Sequence, residues 1–152
     1  MKKFAIVFFF FFACYFGISA QNNALISYVQ IKNNWINVFD NNGTSIICTG
    51  SEATIEYNVF RSCRHQHIDL RSSYYNDWHT PSIHYNNFLA TNGNYVTVRS
   101  VAINTDVNAQ NNYWMLDDID SLIIDKMDFS YMGGYILYEP KLHQENSNAG
   151  PL

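Results

Sequence analysis

Residues 62–71 read SCRHQHIDLR, and they place side chains that do chemistry at every second position. Cys63, His65, His67, Asp69 and Arg71 alternate with Arg64, Gln66, Ile68 and Leu70. In a β-strand, successive side chains point to opposite faces. If Ile68 and Leu70 face a core, the other set shares the outward face. Two imidazoles spaced by one residue on a strand suit zinc or copper, with a further ligand from elsewhere. His79 and His84 follow closely in the chain and are candidates for that role. A zinc hydrolase would also need an open coordination position and a general base, for which Glu56 and Asp69 are available.

Several features weigh against a metal. The position four beyond His67 is Arg71 rather than a glutamate, and Arg64 and Arg71 bring positive charge to the segment. The favoured expectation is a polar strand face, solvated or ligand-facing, made of His65, His67, Asp69 and Arg71. Tyr74, Tyr75 and Trp78 follow in a polar stretch and would form its rim, where aromatic faces stack on sugars or peptides. No G-x-S-x-G elbow and no phosphate-binding glycine loop occurs.

The elements that must position these residues read as β throughout. LISYVQI (25–31), WINVF (35–39), TSIICT (44–49), ATIEYNVF (53–60), NYVTVRSVAIN (94–104) and NNYWMLDDIDSLIID (111–125) are strand-like runs. Within 53–60, Ile55, Tyr57 and Val59 are expected on one face. Asn42-Gly43 and Gly133-Gly134 read as hairpin turns. Residues 72–93 read as a loop. No segment holds a helical period, and no internal repeat is apparent. About eight short strands separated by turns predict an all-β, antiparallel β-sandwich.

Residues 1–20, MKKFAIVFFFFFACYFGISA, carry two lysines, an apolar run and small residues ending at Ala20. That order predicts a secretory signal cleaved before Gln21. The competing reading makes Cys14 a lipid-anchored cysteine. Residues 21–140 would then be one β-sandwich domain, and 141–152 a disordered polar tail. The whole chain has 9 basic against 13 acidic residues, so a nucleic-acid partner is not expected. Nor does the mature chain contain an apolar stretch long enough for a membrane span. Such a protein would be secreted, extracellular or at the cell surface, with the periplasm as a further compartment. An oxidising compartment makes a Cys48–Cys63 disulfide one reading and two free thiols the other, and spacing does not choose between them.

Tyr113-Trp114-Met115-Leu116-Asp117-Asp118-Ile119 resembles the closing strand of extracellular jelly-roll domains of the MAM-like and cleaved-adhesin (choice-of-anchor) type. Upstream, 53–59, HIDLRS (67–72), the loop with Trp78 and NGNYVTVR (92–99) follow in a similar order, so the resemblance covers 53–122. It implies a jelly-roll topology and a cell-adhesion or carbohydrate-binding role. It also implies a structural Ca²⁺ at Asp117 or Asp118, with oxygens from a loop such as Asp40-Asn41-Asn42. The expected function is a non-enzymatic module recognising a glycan or an extracellular protein. The alternative is a metal-dependent secreted hydrolase built on His65 and His67.

Overall fold

The computed structural model describes residues 18–21, 28–37, 44–49, 52–62, 66–71, 81–89, 98–101, 105–130 and 133–152. Its strands form three sheets, and every pairing is parallel. The first sheet is β1 (Ile18–Gln21), β4 (Thr44–Thr49), β7 (Gln66–Arg71), β10 (Val98–Val101) and β13 (Ile123–Ile124). The second is β2 (Tyr28–Lys32), β5 (Glu52–Glu56), β8 (Ser82–His84), β11 (Val107–Asn108) and β14 (Ile136–Leu137). The third is β3 (Trp35–Asn37), β6 (Val59–Ser62), β9 (Asn87–Phe88) and β12 (Tyr113–Trp114). The chain visits the sheets in rotation, and each strand pairs with the strand three places on. Each circuit is therefore one rung of a three-faced parallel β-solenoid.

This overturns the expected antiparallel jelly-roll sandwich. The physical reason is that period-two alternation is the same in parallel and antiparallel strands, so it does not choose the partner. Asn42-Gly43 lies outside the described residues, but the strands on either side of it, β3 and β4, belong to different sheets. They are successive sides of the solenoid, not a hairpin. Gly133-Gly134 is not a two-residue hairpin either. Gly134 is needed because the chain passes so close to the Thr105 carbonyl that a Cβ would collide with it.

Parallel, in-register stacking puts like residues above one another at ~4.8 Å. Ile46, Ile68, Val98 and Ile123 form one buried row, and Ile31, Ile55 and Ile83 another. In the third sheet Phe60 stacks on Phe88 at 4.9 Å between ring centroids, and Phe88 on Trp114 at 4.6 Å. Those spacings match the rung rise, so the rings stack without distorting the strands.

The corner between the second and third sheets is held by an asparagine ladder. Asn34, Asn58, Asn86 and Asn112 occupy equivalent positions on four rungs. The backbone N–H and Nδ2 of Asn34 donate to Asn58 Oδ1, those of Asn58 to Asn86 Oδ1, and those of Asn86 to Asn112 Oδ1. Nδ2 of Asn58, Asn86 and Asn112 also donates to Ile31, Ile55 and Ile83 carbonyls on the preceding rung. Asn58, Asn86 and Asn112 are fully buried, which is tolerable because both ends of each amide are satisfied.

A repeat is therefore present where none was apparent. IKNNWI (31–36), IEYNVF (55–60) and IHYNNF (83–88) share an apolar residue, a ladder asparagine three places later and a core residue at the end. The expected single strand 53–60 breaks within this motif. Ile55 and Phe60 are buried, while Tyr57 sits at the corner with φ 56°.

The segment 141–152, expected as a disordered tail, instead runs back across the rungs. Leu142 N–H donates to the Asn112 carbonyl. Asn146 exchanges two hydrogen bonds with the Asn87 side chain, and Gly150 N–H donates to the Tyr57 carbonyl. Gly150 approaches Trp35 so closely that a Cβ would lie 2.6 Å from its Nε1. Among the described residues no helix is long and apolar enough to cross a membrane.

Candidate ligand-binding site

On β7, Ile68 and Leu70 are buried in the core as expected, and Asp69 and Arg71 lie on the opposite side. Parallel register sets Ile47 and Arg99 on either side of Asp69. Arg99 donates from Nε to Asp69 Oδ1 at 3.0 Å and from Nη2 to Oδ2 at 2.9 Å. Arg71 donates from Nε at 2.8 Å and from Nη2 at 2.6 Å, both to Oδ2. The Asp69 side chain is 0% exposed, whereas those of Arg71 and Arg99 are 46% and 29% exposed. A buried carboxylate requires such partners, and these are charge-assisted bonds. The cluster holds two cations and one anion, so it retains one positive charge on a partly exposed surface. Each guanidinium also has N–H donors beyond those committed to Asp69.

His67 does not join this face. Its ring packs against Phe60 at 5.2 Å and Phe88 at 6.2 Å, and its Nδ1 lies 3.4 Å from Ser45 Oγ. Burial pushes its pKa down to about 4. Gln66, His67 and Ile68 at the start of β7 are all buried, so the simple alternation does not hold there. His65, Tyr74, Tyr75, Trp78 and His79 lie outside the described residues. His84 projects outward from the second sheet, so it does not approach a shell with the interior His67. Glu56 and Asp69 also lie on different sheets, and Glu56 is engaged by Gln30 Nε2 and Lys32 Nζ. Among the described residues no three metal-ligating side chains come together.

Asp117 and Asp118 are exposed in a bend beyond β12, and the loop 40–42 proposed to help them lies outside the described residues. Cys48 is a buried free thiol, and Cys63 lies outside the described residues. Burial, and secondarily the Asp69 charge, push the Cys48 thiol up to about 12, so it supplies no thiolate near neutral pH. Trp114 is buried in the core, whereas Trp35 is 58% exposed, with the Arg61 guanidinium 4.7 Å from its ring.

Sequence reasoning missed Arg99, which lies far from Asp69 along the chain and meets it only through rung register. It also missed a second outward feature. The residue before each ladder asparagine is left-handed: Asn33, Tyr57, Tyr85 and Asn111 all have φ between 56° and 58°. Asparagine tolerates this conformation, while tyrosine pays roughly 1–2 kcal/mol for it. Tyr57 and Tyr85 stack at 5.2 Å with 20° between planes, and Lys32 Nζ lies 4.9 Å from the Tyr57 centroid. The ring pair contributes about 1 kcal/mol and the cation contact about 0.5–1 kcal/mol. The same φ recurs on all four rungs, so it is a requirement of this corner, and backbone bonds from Tyr57 N–H to the His84 carbonyl and from Tyr85 N–H to the Asn111 carbonyl help to hold it.

Elsewhere on the outward second sheet, Gln30, Thr54, Ser82 and Asn108 form one polar register row that ends on exposed Leu137, and Lys32, Glu56 and His84 form the next. No protein-family model, curated protein or solved structure matches this chain.

Proposed function

We propose that this chain is an exported, non-enzymatic binding or adhesion module, and that its binding face is the outward side of the first sheet around Asp69, Arg71 and Arg99. The supporting observation is the guanidinium pair clamped on one fully buried carboxylate. That arrangement fixes two planar donor groups in place and leaves net positive charge among them. Fixed, planar N–H donors suit the carboxylate or sulfate groups of an acidic glycan. In the sequence Tyr74, Tyr75 and Trp78 follow this strand, and aromatic residues of this kind suit sugar faces.

Titration with polygalacturonate and heparin, against uncharged dextran, tests this reading. Arg71→Ala and Arg99→Ala should each weaken binding of the acidic polymer tenfold or more, with dextran not bound. A protein that binds neither acidic polymer, or whose variants bind unchanged, overturns it. Retention of an extracellular protein, with no glycan bound, would move the reading to a protein ligand.

A further inference from the structure

We propose that the outward row of the third sheet is a peptide-binding groove, and that residues 146–150 of a second copy of this chain take it in exchange for the chain's own. Trp35, Val59, Asn87 and Tyr113 form this row in register, one residue per rung. The chain's own segment crosses it, and its contacts show what the groove selects.

Asn87 grips the main chain. Its Nδ2 donates to the Asn146 carbonyl at 3.0 Å, and its Oδ1 accepts from Asn146 N–H at 2.8 Å. The Asn146 side chain supplies a first selection. Its Nδ2 donates to the Tyr85 carbonyl at 2.8 Å, and its Oδ1 accepts from Asn148 N–H at 3.0 Å. An aspartate there would lack the donor. Gly150 supplies a second selection. Its φ is 104°, its N–H donates to the Tyr57 carbonyl at 2.8 Å, and a Cβ would lie 2.6 Å from Trp35 Nε1. The ligand is therefore a peptide of the form Asn-x-x-x-Gly, and every copy of this chain carries one.

The segment is built to exchange. Within 143–148 every residue but Asn146 is exposed, so polar bonds rather than apolar burial hold it, and such elements open locally. Leu142 stays behind, with its N–H on the Asn112 carbonyl and its backbone bridged to Tyr113. The exposed residues His143, Gln144 and Glu145 are then the pivot. From Leu142 to Asn146 the chain spans at most about 14 Å. Facing sheets pack about 10 Å apart, so the segment reaches the third sheet of a copy that faces this one. Exchange of an identical element needs no new contact. The short tether favours the chain's own segment in dilute solution and a neighbour's segment when copies are crowded.

Two full-length variants separate groove from ligand. Asn146→Ala/Gly150→Ala frees the groove, and Asn87→Asp sets a carboxylate oxygen against the Asn146 carbonyl and frees the segment. The first variant should bind a fluorescein-labelled peptide of residues 141–152 in anisotropy titrations. The same peptide with Asn146→Ala should bind at least tenfold more weakly. Mixed together, the two variants should give a sedimenting species of twice the chain mass that neither gives alone, and excess unlabelled peptide should disperse it. Asn87→Ala takes the place of Asn87→Asp in the mixture if thermal melts show the latter unfolded. Absence of peptide binding, equal binding of the Asn146→Ala peptide, or no complex in the mixture overturns the proposal.

Discussion

Asp69 and Arg99 stand opposite one another on adjacent rungs, in register, with two hydrogen bonds of 3.0 and 2.9 Å between them. The pair ties the third rung to the fourth on the outer surface. Asp69→Asn keeps the shape but removes the charge and half of the acceptor capacity. It should cost about 2 kcal/mol, the scale of hydrogen bonds to a charged group, since both arginines remain partly solvated. Urea denaturation of the variant measures it.

The ladder should be less forgiving. Asn86→Ala leaves Asn58 N–H and the Ile55 carbonyl without their side-chain partners in a fully buried corner. A loss of about 2–4 kcal/mol is expected. Asn34→Ala, at the end of the ladder, should cost less. The two midpoints in urea decide this order.

His67 gives a pH dependence with a definite sign. Its pKa falls from 6.5 to about 4 on folding because burial disfavours the imidazolium. Between those values the unfolded chain binds more protons. Stability is therefore full above pH 6.5 and declines as the pH falls towards 4, by up to about 3 kcal/mol. His67→Gln should flatten that part of the stability–pH curve, as followed by thermal melts.

Deleting residues 143–152 removes the Asn146 and Gly150 bonds across two rungs. Val59 and Asn87, now 5% and 3% exposed, would become accessible. The truncated chain should stay folded but melt several degrees lower, as followed by thermal melts. An unchanged melting temperature would mean that the strap contributes nothing to stability.

How much was legible varies residue by residue. The apolar pattern put Ile68 and Leu70 inside and Asp69 and Arg71 outside, because a strand's side chains alternate whatever it pairs with. His67 was misplaced because at the start of β7 three successive residues, Gln66, His67 and Ile68, are all buried, so alternation does not sort them. The recurrence of an apolar residue three before an asparagine was on the page in IKNNWI, IEYNVF and IHYNNF, but the insertions between copies hid it. Tyr57 and Tyr85 read as ordinary strand or loop aromatics, since a positive φ leaves no mark on residue type.

By itself, then, the amino-acid order determined that the chain is β-rich, which face of β7 is apolar, and that asparagine and tyrosine are abundant. Only the tertiary structure decided that the strands pair in parallel, that Arg99 meets Asp69, and that Asn34 to Asn112 form a ladder. The physical reason is that alternation is a property of one strand, whereas register is a property of two. Residues one rung apart are distant along the chain, and only winding the solenoid brings them within hydrogen-bond reach.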